Sequence, residues 1–177
     1  IMSVGDDVAV IEGEGGHVSF AARHADELAV LDVLQNQWGH VSAERFVSGL
    51  GLEAIYHVMT GEAGETAAEI GAAAITADGA ARDAVALMQR AFATALANAA
   101  LTFGAGSGIV IAGGIMPKLI GLLPTSGFFE RLGDHGRRSQ FLHDLPLYLS
   151  VDPYAGLFGA AVAAKTAHLA HRWRPVA

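Results

Sequence analysis

Ser107-Gly108-Ile109-Val110-Ile111-Ala112-Gly113-Gly114-Ile115-Met116-Pro117 decides how the rest of the chain is read. Its centre, 109–112, is a short apolar run rich in β-branched residues. That pattern predicts a strand buried in a parallel sheet rather than one at a sheet edge. Pro117 suits the first turn of a following helix, where its missing N–H is not needed. A strand that runs through a diglycine into a helix is the place where open α/β sheets take ligands, at the carboxyl ends of their strands. Gly113 and Gly114 let a ligand come close to the backbone; an ordinary tight turn is the other reading. The segment is neither a Walker A loop nor a G-x-G-x-x-G, so the mechanics of those motifs do not apply.

Downstream, 145–151 predicts a second strand, with Leu147 and Tyr148 on opposite faces. A helix over 154–170 follows, with small residues Gly156, Gly159, Ala160 and Ala163 along one side. Upstream, 80–102 predicts a long Ala-rich helix with Val85, Met88, Phe92, Leu96 and Ala99 on one stripe. Shorter helices are expected over 66–75, 52–59 and 26–38, the last stopped by Gly39. Ser42 reads as an N-cap. The first segment, 8–11, predicts a strand entering a glycine-rich turn at Gly13, Gly15 and Gly16, with a short return strand over 18–20. Strands and helices in this order give an α/β class, a parallel or mixed sheet packed with helices, in one domain over 1–177.

Composition narrows the function. The 177 residues are 52% hydrophobic and 16% charged, enough to bury a core. Lys and Arg number 11 against 18 Asp and Glu, a net charge of −7, which argues against nucleic acid as a partner. The absence of cysteine excludes disulfides, Cys-based zinc sites and thiol catalysis. No uninterrupted apolar stretch reaches the ~18–20 residues of a membrane span, and the start has no signal-peptide pattern.

Glu14-Gly15-Gly16-His17 is the sharpest local feature. Two glycines between an acid and an imidazole let the backbone bend and bring both side chains to one pocket. A carboxylate accepts hydrogen bonds from vicinal hydroxyls, and a neutral histidine donates at one nitrogen and accepts at the other. A surface glycine turn with a structural histidine is the alternative. Glu44 stands near a helix start, where the helix dipole favours an acid whether or not it also accepts a hydroxyl. The histidines at 24, 40, 57, 135, 143, 168 and 171 show no ligand spacing, though His40 and His57 are candidates for burial with local partners.

Taken together, the stretches at 13–20, 39–49, 111–118, 126–129, 143–149 and 156–160 resemble the bacterial glucokinase family, in order and in spacing. The resemblance implies the C-terminal lobe of an actin-like ATPase (ribonuclease H-like) fold and ATP-dependent conversion of glucose to glucose 6-phosphate in the cytoplasm. It implies that Glu14 and His17 hold glucose hydroxyls and that Glu44 holds another, at the anomeric end. Gly113 and Gly114 would form the turn against which ATP packs, with Ser126 and the 152–156 loop bordering the nucleotide. A homodimer is the family habit. Glu12, where proline is frequent, and Leu50, which interrupts Ser-Gly-Pro-Gly, depart from the family pattern. The phosphate-binding Asp-x-Gly-Gly-Thr strand, the Asn-Asp pair with its catalytic base and a second Gly-Thr-Gly loop are not found. The expectation is therefore an absent N-terminal lobe that holds most of the Mg2+ and triphosphate, no catalytic residue in this chain, and no activity from it alone. A non-catalytic sugar-sensing domain on the same fold is the alternative. A repressor-type sugar kinase is disfavoured without its zinc-binding cysteines, and an acetate kinase relative by the Glu-Gly-Gly-His and Ser-Ala-Glu-Arg segments.

Overall fold

A computed structural model describes residues 2–4, 7–10 and 13–165. Strands β1 (Met2–Val4) and β2 (Asp7–Ala9) pair as an antiparallel hairpin, with Met2 opposite Ala9. The expected strand over 8–11 is thus shorter and has a partner that the sequence reading missed; Ile11 and Glu12 lie outside the described residues. The expected return strand over 18–20 is a single antiparallel bridge between Ser19 and Ser42. Helices α1 (Ala25–Trp38), α2 (Ala43–Phe46), α3 (Gly49–Thr60), α4 (Ala67–Thr76) and α5 (Ala80–Phe103) follow. Thr66 caps α4 in a reciprocal box with Glu69, and Gly104 ends α5 in the left-handed region at φ 62°.

Strand β3 (Ile109–Ile111) then pairs in parallel with β4 (Leu147–Leu149), Val110 opposite Tyr148. Between them lie α6 (Met116–Leu119), with Pro117 in its first turn, α7 (Phe128–Gly133) and α8 (Ser139–His143). The last described helix is α9 (Ala155–Lys165); the rest of the expected 154–170 helix, with His168 and His171, lies outside the described residues.

The expectation of a fully buried β3 is corrected. Ile111 is buried but Val110 and Tyr148 are exposed, because among the described residues nothing packs on that face of the sheet. The small-residue side of α9 is likewise free of close neighbours at Gly156 and Gly159, and the helix buries none of its residues. His40 and His57 are exposed rather than buried, each with a local partner: Ser19 Oγ at 3.2 Å and the Glu62 carbonyl at 2.7 Å.

Helix α5 runs through two apolar clusters. Its first half puts Val85, Leu87 and Met88 against Val30 and Leu34 of α1, Phe46, Leu52, Ile55 and Ile70. Its second half packs Ala93, Ala97 and Ala100 against Ile111, Met116, Phe128, Leu132 and Leu142. Alanine on that half lets the sheet and α7 approach closely. By length and mean hydropathy α5 could cross a membrane, but 56% of its apolar window is buried, the pattern of a core helix.

Charge joins the two clusters. Glu27 in the first turn of α1 and Arg131 of α7 are both buried and meet at 2.6 Å, and Arg131 also donates to Thr94 Oγ1 at 3.3 Å. The other Glu27 oxygen accepts the backbone N–H of Arg23 at 2.6 Å and of His24 at 3.4 Å. Beside this pair, Arg90 bridges Asp26 and the Ser126 carbonyl, and Arg23 meets Asp134 at 2.5 Å. Burial, with the Arg23 guanidinium nearby, holds the neighbouring His135 imidazole below the usual histidine range.

Candidate functional site

Glu14, His17 and Glu44 come from two segments that the backbone sews together. The Phe20 N–H donates to the Val41 carbonyl at 2.9 Å, and the Ala43 N–H to the Val18 carbonyl at 2.9 Å. This short ladder lays 18–20 against 41–43, so the glycine turn and the start of α2 face each other. The turn itself is a 3₁₀ segment, Gly15–His17, closed by the His17 N–H on the Glu14 carbonyl at 2.9 Å. A Cβ at Gly16 would sit 3.6 Å from the Glu44 Cβ, in ordinary van der Waals contact, so the turn lies directly against the start of α2.

Ser42 caps α2, its Oγ accepting the Arg45 N–H at 3.2 Å. Phe46, fully buried, stacks on Phe20 with centroids 4.0 Å apart and planes at 19°. One aromatic pair therefore clamps the two segments from below. Gly51 does the same job on the far side: a side chain there would strike the Arg45 and Phe46 carbonyls, so only glycine lets α3 sit against the end of α2.

The result is an imidazole between two carboxylates. His17 Nδ1 stands 3.2 Å from Glu14 Oε2, and Nε2 stands 3.6 Å from Glu44 Oε2. All three side chains are more than 60% exposed, so these ion pairs contribute little to folding. Their polar atoms are available to a ligand instead. The cavity at His17 and Glu44 holds about 440 Å³ and is closed by Trp38, His40, Ser42, Arg45, Ser48 and Leu50. The Arg45 guanidinium lies 4.2 Å over the Trp38 ring, so that wall is a stacked cation and aromatic. Clustered hydroxyl acceptors, a two-way imidazole and an amphipathic wall are suited to a polyhydroxylated ligand.

Gly113 and Gly114 lie elsewhere, at the end of β3. Gly113 has φ 122°, and an added Cβ at either glycine would meet nothing within 4 Å, so both border open space. They line a cavity of about 140 Å³ with Val47, Met88, Phe92 and Met116. Gly114 and Ile115 also line a larger one of about 520 Å³, whose other wall is Leu52 of α3 and Ala67, Ala68, Gly71, Ala72 and Ile75 of α4. Val47 directly follows α2, so one short segment carries Glu44 on the first site and borders the second.

Other expected positions do not join either cavity. Ser126 is buried, its Oγ donating to the Leu123 carbonyl at 3.1 Å. Asp152 accepts the Tyr154 N–H at 2.8 Å in an exposed loop. Sequence reading missed Trp38 and Arg45 as a site wall: Trp38 was legible only as the last residue of the helix expected over 26–38. It also missed the α4 face, because an Ala- and Gly-rich helix carries no chemical signal. Among the described residues no group of three or more His, Asp or Glu side chains is arranged to hold a metal ion.

Comparison with known proteins shows the family. The family model described as Glucokinase matches residues 1–167. A glucokinase of Chromobacterium violaceum is 38% identical over 171 residues, covering 93% of this chain and 48% of that protein. One of Ralstonia nicotianae is 39% identical over 168 residues, covering 86% and 49%. A crystal structure of a glucokinase from an Antarctic psychrotroph superposes with a TM-score of 0.77 at 32% identity, over 86% of this chain and 49% of that one. The chain spans about half the length of the curated relatives it matches.

Proposed function

Since the chain belongs to the glucokinase family, we propose that it serves the ATP-dependent phosphorylation of glucose to glucose 6-phosphate, as the lobe that orients the sugar and walls the nucleotide cleft. The observation that carries this is the His17 imidazole standing between the Glu14 and Glu44 carboxylates, with His17 and Glu44, 27 residues apart, on one cavity of about 440 Å³. In this reading Glu14 and Glu44 accept sugar hydroxyls, and His17 donates to one and accepts from another. Glu44 takes the hydroxyl at the anomeric end. ATP packs its adenosine on Gly113 and Gly114, with the base in the larger cavity between Gly114 and α4.

Phosphoryl transfer depends mainly on positioning and on stabilising charge, with little covalent work for the protein. The segment 44–47 is placed to do the positioning, because it borders both cavities. In our reading this chain supplies no catalytic base, and magnesium and the triphosphate are held mainly by the other lobe. In this reading the complete enzyme works in the cytoplasm as a homodimer, with this single domain as one lobe.

A coupled assay for glucose 6-phosphate tests the proposal. This 177-residue chain and the product of the complete reading frame encoding it are each given ATP, magnesium and glucose. Turnover is expected only from the longer product. Glucose binding without turnover in both would replace the kinase with a sugar sensor, and turnover by the chain alone would overturn the division of labour. Glu44→Gln keeps the shape of the side chain but removes its charge. It is expected to weaken glucose binding by about 1–3 kcal/mol, the scale of a lost charge-assisted hydrogen bond. Calorimetric titration reads the change, and an unaltered affinity removes Glu44 from the site.

A further inference from the structure

The cavity between Gly114 and α4 has an unusual lining. Of its side chains only Lys118 is polar; the others are Leu, Ile, Ala and Gly. None carries an oxygen, so none can accept a hydrogen bond. The backbone offers almost as little. Leu52 lies inside α3 and Ala67, Ala68, Gly71 and Ala72 inside α4, where each carbonyl accepts from four residues on. The Ile75 carbonyl takes Arg82 Nη2 at 3.3 Å, the Ile115 carbonyl takes the Lys118 N–H at 3.1 Å, and the Leu119 carbonyl takes Gln89 Nε2 at 3.0 Å. Among the described residues at most two carbonyls of the wall are free, those of Gly114 and Lys118.

We infer that this cavity holds a purine by shape and does not select for the 6-amino group of adenine, so that inosine and guanosine triphosphates bind beside ATP. The inference rests on the nucleotide cleft proposed above. A site that rejects a near-isostere strongly, by about 10⁴-fold, does so with buried polar groups left unpaired by the wrong ligand. Here no side-chain acceptor awaits the 6-amino donor. The one polar side chain, Lys118, is a pure donor and exposed enough to swing over the cavity mouth, where it favours the 6-oxo acceptor of hypoxanthine and guanine. At about 520 Å³ the space lies within the usual ~300–1,000 Å³ of small-ligand sites and takes a bicyclic base more fully than a pyrimidine.

Displacement of an ATP analogue with a fluorescent group on its ribose tests this on the product of the complete reading frame. ATP, ITP and GTP are expected to compete within about tenfold of one another, with CTP weaker. Lys118→Met is expected to cost ITP and GTP roughly tenfold while leaving ATP nearly unchanged. Ala72→Trp, on an exposed face of α4, fills the cavity and is expected to weaken every nucleotide. Competition by ATP alone, more than a hundredfold ahead of ITP and GTP, overturns the inference and leaves the cleft standing. Unchanged binding in Ala72→Trp, or no displaceable binding in the complete parent protein, overturns the cleft and the inference with it.

Discussion

Arg131→Met is expected to destabilise the chain by about 3–5 kcal/mol, because it strands a charge. Glu27 has no exposed surface, and its carboxylate is held by Arg131 at 2.6 Å and by two backbone N–H groups. Removing the guanidinium leaves the charge in the interior with only its two backbone donors. Thr94 also loses its donor. A domain of this size has a total stability of only about 5–15 kcal/mol, so the loss is a large fraction of it. Replacing both charges is a different matter, since buried pairs often contribute little beyond an apolar pair of the same volume. Glu27 has a second task, however, as acceptor for the Arg23 and His24 amides. Glu27→Gln with Arg131→Met keeps that acceptor and removes both charges, and is expected to recover most of the loss. Glu27→Leu with Arg131→Met orphans the amides and is expected to recover less, by about 1–3 kcal/mol. Urea unfolding of the four proteins measures all of this. A loss below ~1 kcal/mol in Arg131→Met would show that the stranded carboxylate finds water or a proton at little cost.

That pair shows where sequence reading stops. Glu27 in a first helical turn looks like an acid favoured by the helix dipole, and Arg131 lies 104 residues away with no motif around it. Nothing local marks either as buried. The helices were legible because their apolar periods and caps are local: Gly39 and Ser42 mark ends that the structure keeps within a residue or two. Beyond α6, whose start Pro117 marks, the segment up to β4 was not, since its short helical turns are too brief to show a period. The exposure of Val110 and Tyr148 was also invisible, because a β-branched run reads as buried whatever lies on its second face. Around the His17 imidazole the reverse holds. Glu14, His17 and Glu44 were named from glycine spacing and resemblance, and the structure brings them together. Their roles toward glucose, and those of Gly113 and Gly114 toward ATP, remain our proposal.

Phe46→Ala is expected to cost about 3–5 kcal/mol, the range for emptying a fully buried aromatic site. Phe46 has no exposed surface and belongs to the cluster formed by α1, α3, α4 and the first half of α5. Its ring also stacks on Phe20, so part of the loss is the pair itself, about 0.5–1.5 kcal/mol beyond area. The position matters for more than stability. Phe20 ends the segment that carries Glu14 and His17, and Phe46 ends the helix that carries Glu44. Loosening the stack lets those groups drift apart even while the ladder of 18–20 on 41–43 persists. Phe46→Leu separates the two effects. It keeps most of the buried volume and should cost less than half as much in urea unfolding, yet it removes the ring that sets the spacing of the two segments. Glucose affinity measured on folded Phe46→Leu is then expected to fall several-fold, whereas a comparable loss of stability at Leu34, in the same cluster but away from the stack, should leave it unchanged. Equal glucose affinity in the parent and Phe46→Leu would mean that the backbone ladder alone holds Glu44 against His17, and that the aromatic clamp serves only the core.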